Sequence, residues 1–201
     1  MSLVNKVKSL GAKATMPEED VRALLAKDHE EAKALAKQMH EAISPARRTA
    51  LLAKLKPALT AHSRAEEKVV YDALLRVRAK DDSHELGDEG YVEHSLVDEL
   101  LSTLATTRSS TERWKATAKV LQELLEHHIE EEESDIFAVL GDHYDRDALQ
   151  AMGGQFKRLK ADILRTPKPR KSAAPKRGAV VKSVRRATSR SKRPARKSAS
   201  R

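Results

Sequence analysis

Two short stretches of the sequence pair a histidine with a glutamate four positions later. His62 precedes Glu66 in AHSRAEEKVVY, and His128 precedes Glu132 in LLEHHIEEEESDIF. Residues four apart in an α-helix lie on the same face, about 6 Å along the axis, so each pair can direct both side chains at one metal ion. The flanks also agree, because a leucine lies three positions before each histidine and an aromatic residue nine positions after it. This repetition indicates a metal site more strongly than either pair alone.

Two single histidines complete a duplicated pattern. His29 lies 33 residues before His62, and His94 lies 34 residues before His128, each on an apolar helical stripe. Four imidazoles and two carboxylates in one core suit two metal ions, and such mixed ligation with open positions fits non-haem iron, with manganese or zinc as alternatives. We predict a metal-binding set drawn from both halves of the pattern: His29, His62, Glu66, His94, His128 and Glu132.

Simpler interpretations apply to each of these residues when it is considered alone. A lone histidine on an apolar stripe is more often a satisfied core residue, and the run Glu130–Glu133 could be a solvated face. His127 and His128 differ in direction by about 100°, so only one of them can face the core. His127 shares its face with acidic residues, whereas His128 shares its face with leucines, and we therefore assign His128 to the site.

The remaining histidines and the aromatic residues have less specific interpretations. His40 is predicted to be a helix-end histidine, and His84 and His143 are predicted to be surface residues in loops. Four aromatic residues are predicted to pack in the core rather than to act as redox partners: Tyr71, Tyr91, Trp114 and Phe137.

Composition favours a helical protein and excludes thiol chemistry. Charged residues make up 34% of the 201 residues, aromatic residues 3%, and cysteine is absent. Disulfides, thiolate metal sites and cysteine catalysis are therefore excluded. We find no secretory signal and no apolar stretch long enough to span a membrane, so we expect a cytoplasmic protein that does not contact membranes.

Helical periodicity predicts five helices, at about residues 17–42, 45–79, 89–107, 111–140 and 146–164. Thr15 and Ser44 are the predicted N-caps of the first two, Pro57 should kink the second, and KDDSHELGDEG is predicted to be a loop. The fold class is all-α: an up-down-up-down four-helix bundle, followed by a C-terminal amphipathic helix and a disordered basic tail. The predicted domains are a flexible lead at 1–16, the bundle at 17–164, and the tail at 165–201.

The C-terminal segment has a different composition from the rest of the chain. Residues 165–201 contain fifteen Lys or Arg and no Asp or Glu, whereas residues 1–164 carry 24 basic and 30 acidic residues. The segment is similar to the tails of histone H1-like proteins, and we expect it to bind nucleic acid without sequence preference by neutralising phosphates. The alternatives are a solubilising tail and a tail that docks on the acidic bundle.

The region from about residue 20 to 140 resembles the hemerythrin-like family, the HHE cation-binding domain. The resemblance rests on AKDHEEAKAL, AHSRAEEKVVYDAL, YVEHSLVDELL and LLEHHIEEEESDIF. It implies a four-helix bundle with an oxo- or hydroxo-bridged di-iron centre, in which the six predicted residues are ligands and Glu66 and Glu132 bridge. Oxygen-carrying hemerythrins have a histidine where this chain has Asp98, so reversible oxygen carriage is not implied.

Three functions are compatible with these patterns. The leading hypothesis is a di-iron protein that binds or senses dioxygen or a related small ligand and is held near nucleic acid by its tail. The second is a di-iron enzyme that acts on peroxide, nitric oxide or ferrous iron. The third is an architectural protein of the nucleoid, whose bundle is only a scaffold.

Overall fold

The computed structural model describes residues 17–77 and 83–165, and every regular element among them is helical. Seven α-helices follow in chain order: α1 (Val21–Glu41), α2 (Pro45–Glu66), α3 (Asp72–Leu74), α4 (Ser83–Thr106), α5 (Glu112–Glu131), α6 (Phe137–His143) and α7 (Arg146–Arg165). Two π-helical turns, Glu67–Tyr71 and Glu132–Ile136, continue α2 into α3 and α5 into α6. None of the described helices is long and apolar enough to cross a membrane. The predicted lead before residue 17 and the tail after residue 165 lie outside the described residues.

The long helices pack as the predicted four-helix bundle. α1 packs against α2 and α5, and α4 packs against the same two helices, so each side of the bundle is a helix pair. The fifth long helix, α7, covers the side formed by α1 and α2. Gly153 of α7 permits a close approach, because a Cβ atom there would lie 2.1 Å from the carbonyl oxygen of Glu19. The predicted all-α architecture with an additional amphipathic helix is confirmed.

Capping residues determine where the first two helices begin. Asp20 accepts a hydrogen bond from the backbone N–H of Arg22 at 2.9 Å, so α1 begins at Val21 rather than at the predicted residue 17. Thr15, the predicted N-cap, lies outside the described residues. Ser44 caps α2 as predicted, with its Oγ 3.2 Å from the backbone nitrogen of Arg47. α2 continues through Pro57 without interruption.

The predicted loop KDDSHELGDEG is largely helical, because α4 begins at Ser83 rather than near residue 89. Glycine is common in loops, but both glycines of this stretch are buried in helix packing. A Cβ atom on Gly90 would lie 2.5 Å from Cζ of Tyr71, so glycine is needed there for close contact. His84 is therefore helical rather than in a loop, although it is exposed. His143 is the exposed last residue of α6 rather than a loop residue, and the predicted break before the last helix falls at residues 144 and 145.

The core consists of two apolar clusters with a polar layer between them. One cluster includes Leu25, Val69 and Phe156, and the other includes Leu59, Val97 and Leu125. The six predicted metal-binding residues lie in the chain between these two sets of apolar positions. The bundle thus places buried polar side chains at its middle, where water cannot solvate them.

Candidate metal centre

All six predicted residues meet in the polar layer, and none is more than 6% exposed. α1 carries His29, α2 carries His62 and Glu66, α4 carries His94, α5 carries His128, and the second π turn begins at Glu132. They form two overlapping groups, each with ligand atoms within 4.8 Å of one another: His29, His62, Glu66 and Glu132, and Glu66, His94, His128 and Glu132. Both groups therefore contain both glutamates, which is the arrangement expected of carboxylates shared between two ions.

Each glutamate contacts one histidine from each half of the repeat. Oε2 of Glu66 lies 3.1 Å from His62 Nε2 in its own pair and 3.6 Å from His94 Nε2. Oε2 of Glu132 lies 3.5 Å from its own partner, His128 Nε2, and 3.3 Å from His29 Nε2. The duplicated sequence pattern thus produces a duplicated arrangement, in which each half supplies a carboxylate to the lone histidine of the other.

Several atoms at the middle of this group are buried and lack a hydrogen-bond partner. They are His29 Nε2, His128 Nε2, Glu132 Oε2 and both carboxylate oxygens of Glu66. Burying a carboxylate without a hydrogen bond is costly, and the nearby imidazoles reach these carboxylates only as ion pairs at 3.1–3.6 Å, so such atoms require an explanation. Imidazole nitrogens and carboxylate oxygens are the donor set of iron, manganese and zinc sites. The unpartnered atoms therefore fit metal ions.

A ring of carboxylates orients the four imidazoles, with one carboxylate bonded to the Nδ1 atom of each. The pairs are His29 with Glu133 at 3.2 Å, His62 with Asp28 at 3.2 Å, His94 with Glu67 at 3.2 Å, and His128 with Glu93 at 2.6 Å. Because a carboxylate only accepts, Nδ1–H donates, and the neutral imidazole then presents its Nε2 lone pair to the centre. Such contacts fix the tautomer and orientation of metal-binding histidines.

Sequence reasoning missed these four carboxylates, although the duplicated pattern contains them. Asp28 and Glu93 each immediately precede a single histidine, and Glu67 and Glu133 each immediately follow a glutamate of the two pairs. Neighbours in sequence differ by about 100° on a helix, so the apolar stripe gave no indication that these residues contact the histidines. They face the adjacent helix instead and reach its histidine.

The first π turn adds a tyrosine to the centre. In a regular α-helix Tyr71 would point about 140° away from Glu66, five residues earlier. The wider turn is closed by a bond from the Asp72 N–H to the Glu67 carbonyl, and it rotates Tyr71 inward. The buried hydroxyl of Tyr71 donates to Glu132 Oε1 and lies 3.3 Å from His94 Nε2. The predicted role of Tyr71 in core packing therefore describes its ring but omits its hydroxyl.

Comparison with known protein families gives one decisive match. The profile of the family described as hemerythrin HHE cation binding domain matches residues 20–140, more than half of the chain. The chain belongs to this family. The hemerythrin match covers α1 to α5 and the first part of α6, and it includes all six residues of the centre. A buried His/Glu cluster in a hemerythrin domain fits a metal-binding protein.

One curated relative shares sequence with this hemerythrin-domain chain. It is a protein named DNA nickase from Nostoc sp. (strain PCC 7120 / SAG 25.82 / UTEX 2576), 24% identical over 144 residues. The match covers 72% of this chain but 40% of the relative, so the chain spans about two fifths of that protein's length. No solved structure matches the chain significantly.

Asp98, which the sequence resemblance sets against a histidine of oxygen-carrying hemerythrins, lies outside the groups of potential metal ligands in this hemerythrin domain. Its carboxylate pairs with Arg64, and Arg64 also pairs with Glu67, the residue that holds His94. Asp98 therefore belongs to a charged network behind the imidazole rather than to the group of six. On the opposite side, Lys160 of α7 bonds Asp28, which holds His62. Both carboxylates thus have a basic partner.

The electrostatics of the hemerythrin centre favour charged imidazoles when no metal is bound. Burial disfavours the charged form, yet the charge of Glu66 and the bond to Asp28 raise the pKa of His62 to about 10. Burial has the same effect on His128, but Glu132 and Glu93 raise its pKa to about 9. Burial, followed by the charges of Glu132 and Glu66, raises the pKa of Tyr71 well above its usual value. Metal binding must therefore displace protons from imidazoles.

The space at the centre is small. A cavity of about 10 Å³ borders the four histidines, with apolar walls from Leu59, Val97 and Leu125. That volume admits roughly one water-sized molecule. A second cavity of about 40 Å³ lies between α1, α2 and α7, lined by Ala58, His62 and Lys160 among others. The geometry therefore suits a ligand of very few atoms.

Proposed function

We propose that the bundle holds two iron ions, with manganese or zinc as alternative metals. His29 and His62 would bind one ion, His94 and His128 the other, and Glu66 and Glu132 would bridge. The observation that carries the proposal is the pair of overlapping donor groups that share both glutamates and leave buried nitrogen and oxygen atoms unpartnered. Membership of the hemerythrin HHE family supports it.

We propose further that the centre binds or senses dioxygen or a related small redox ligand. Bound iron would supply reversible electron exchange with that ligand. The apolar walls of the central cavity exclude bulk water, and its volume of about 10 Å³ limits the size of the ligand. The Tyr71 hydroxyl keeps a proton at Glu132 Oε1.

Metal analysis and absorption spectroscopy test this proposal together. Protein produced with ample iron should contain about two iron atoms per chain and show near-ultraviolet or visible absorption that changes between reduced and air-exposed samples. His62→Ala should lose iron and absorption, whereas His127→Ala, which alters an exposed neighbour of His128, should still carry both iron atoms. Colourless, metal-free wild-type protein would overturn the proposal.

An enzymatic role is the second candidate, favoured by the Tyr71 hydroxyl beside Glu132 and His94. A proton donor at that position is useful for reducing peroxide or nitric oxide, and the oxidation of ferrous iron is a further possibility. Turnover of each substrate should be measured against His62→Ala and Tyr71→Phe. Activity no higher than that of His62→Ala would leave binding as the function.

We propose that residues 165–201 associate the protein with nucleic acid. Support comes from their fifteen Lys and Arg without acidic residues, and from the name of the Nostoc relative. If about ten charges engage phosphates, the slope of log affinity against log salt should be close to −9. A full-length variant with these Lys and Arg changed to Gln is the control. Equal DNA affinity of the two chains would exclude the tail from DNA binding.

Strand cleavage at the centre itself is not favoured by the geometry. The predicted ligands are at most 6% exposed, and the central cavity admits about one water-sized molecule. A phosphodiester of DNA cannot reach such a site. We therefore propose association with nucleic acid rather than nicking, and relaxation of a supercoiled plasmid by the iron-loaded protein would contradict this.

A further inference from the structure

A third group of potential metal ligands lies outside the centre, on the side formed by α4 and α5. Glu93 of α4 and His127 and Glu131 of α5 each offer one ligand atom, and these atoms lie within 4.8 Å of one another. The Nε2 atom of His127 is 3.5 Å from Glu131 Oε1, and the His127 side chain is 63% exposed. We call Glu93, His127 and Glu131 the outer site.

The outer site is joined to the centre by a shared residue and a shared cavity. Oε2 of Glu93 lies 2.6 Å from Nδ1 of His128, so Glu93 contacts a residue of the centre directly. A cavity of about 10 Å³ is bordered by Glu93 and Glu131 and also by His128 and Glu132. The last two are at most 3% exposed, and His128 Nε2 and Glu132 Oε2 lack hydrogen-bond partners. Two buried residues of the centre, each with one atom that makes no hydrogen bond, thus line the same cavity as two residues of the outer site.

The charge around the outer site favours a cation. Glu67 pairs with Arg64 and Asp28 pairs with Lys160, although both also hold histidines of the centre. Neither Glu93 nor Glu131 pairs with a Lys or Arg within residues 17–77 and 83–165. Glu89 borders the same cavity and adds a further carboxylate. This side of the bundle therefore concentrates negative charge at an opening toward the centre.

We propose that the outer site binds a divalent cation and that ferrous iron reaches the buried centre through it. The ligand set of one histidine and two carboxylates is mixed and partly exposed, which suits an ion that binds and leaves. Glu93 and Glu131 would release the ion to His128 and Glu132 across the shared cavity. The transfer involves no redox step. The proposed route depends on the di-iron centre proposed above, whereas cation binding by the outer site does not.

Iron loading of the full-length metal-free protein tests the route. Ferrous iron is mixed anaerobically with wild type, with the double variant His127→Ala/Glu131→Gln, and with Glu130→Gln, which removes an exposed carboxylate from the same helix. All three should hold the same iron at saturation. The double variant should load about tenfold more slowly, the lower end of the rate gain from electrostatic focusing, and Glu130→Gln at the wild-type rate. Equal rates in all three, or equal slowing in both variants, would overturn the route.

Equilibrium dialysis with Mn²⁺ tests the outer site separately. Iron-loaded wild type and Glu130→Gln should bind one further Mn²⁺ per chain, and His127→Ala/Glu131→Gln should bind none at the same concentration. Equal Mn²⁺ binding by all three would overturn the outer site. If wild type takes up no iron, the di-iron centre and the route both fail, and Mn²⁺ binding that the double variant loses would still support the outer site alone.

Discussion

The two halves of the centre share one sequence pattern but have different surroundings. In the first half, the ring of Phe156 of α7 packs edge-on against that of His62, with ring centroids 5.7 Å apart. Lys160 of the same helix bonds Asp28, the carboxylate that holds His62. In the second half, Glu93 holds His128 and has no Lys or Arg partner within the described ranges. A helix outside the repeat thus covers one half, whereas the other half borders an acidic surface.

The duplicated sequence supplies the potential metal ligands, whereas the helix that covers one side of them lies outside the duplication. The repeat builds the donor set, because each half contributes two histidines, one shared glutamate and two orienting carboxylates. α7 then closes one side with an apolar ring and a lysine, and the opposite side keeps the cavity that reaches the outer site. Equivalent substitutions in the two halves should therefore have similar effects at Glu66 and Glu132, which both ligand groups share. They should have different effects at the residues that surround the histidines.

The largest effect is expected at the two glutamates, where the halves are equivalent. Glu66→Gln and Glu132→Gln should each lower the iron content of the full chain from about two to well below one per chain, because each carboxylate belongs to both donor groups. Metal analysis after iron loading measures this, with Glu130→Gln as an exposed control. Retention of both ions in either variant would show that this carboxylate is not shared, and unequal losses would show that the halves are not equivalent.

Stability of the metal-free protein should depend on pH through the histidines of both halves. The pKa of His62 is raised to about 10 and that of His128 to about 9, in each case against the effect of burial and through the adjacent carboxylates. A folded pKa above the unfolded value of about 6.5 stabilises the protein fully below pH 6.5, and this contribution is lost as the pH rises through the folded pKa. The free energy of unfolding should therefore fall between about pH 7 and pH 10.

Urea denaturation of the metal-free protein at several pH values in that window measures the loss. Iron-loaded protein is the control, because imidazoles that bind metal have already lost the proton in question. A flat profile for the metal-free chain would mean that its buried histidines are neutral, and the charged pairs with Glu66 and Glu132 would then be wrong.

The next effect concerns the position nine residues after each paired histidine, where the halves differ chemically. Tyr71 reaches Glu132 with its hydroxyl, whereas Phe137 stacks on His29 with ring centroids 6.4 Å apart. Gly90 makes room for the tyrosine, because a Cβ atom there would lie 2.5 Å from Tyr71 Cζ. Gly90→Ala should displace the ring, cost about 1–3 kcal/mol of stability and alter the absorption of the iron-loaded protein.

Gly87→Ala is the matched control in the same helix. A Cβ atom at Gly87 would make only an ordinary contact, 3.6 Å from Leu74 Cβ. Alanine is also favoured over glycine in a helix by roughly 1 kcal/mol, so this variant should be as stable as wild type or more stable. Thermal unfolding measures the melting temperatures of both full-length variants, and that of Gly90→Ala should be the lower. Equal melting temperatures would argue against a tight contact between Gly90 and Tyr71.

The arrangement of the six central residues follows from features that a sequence displays directly. A period of 3.6 residues places His62 above Glu66, and the duplication supplies the second pair and the single histidines. The orienting carboxylates were missed because a residue beside His29 or Glu132 is rotated out of the apolar stripe. Whether it faces solvent or a neighbouring helix depends on how closely the helices pack. The sequence did contain one indication of these carboxylates, because an acidic residue lies beside each single histidine and beside each glutamate of the two pairs.

The position of Tyr71 could not be predicted from helical periodicity. A π turn adds a residue to one turn and changes the direction of every later side chain, and a 3.6-residue period contains no sign of it. The start of α4 was predicted too late for a different reason, since the composition of KDDSHELGDEG is typical of a loop, whereas its Gly90 permits contact with Tyr71. Both errors arise because tertiary packing determines the local conformation at these positions.

The smallest effect is expected behind His62, where the halves differ in charge. Lys160→Met would remove the cation that pairs with Asp28 while keeping an apolar chain near Phe156, so the first half would then resemble the second. Loss of a partner behind a metal-binding histidine weakens metal affinity, and because Lys160 acts through Asp28 we expect less than about a tenfold decrease. Competition with an iron chelator measures this decrease in affinity.

Lys157→Met is the control, since Lys157 pairs with Glu19 at 2.8 Å on the exposed face of the same helix. If both variants hold iron equally well, the charge of Lys160 does not influence the centre. The two halves would then differ only in how far α7 shields them from solvent.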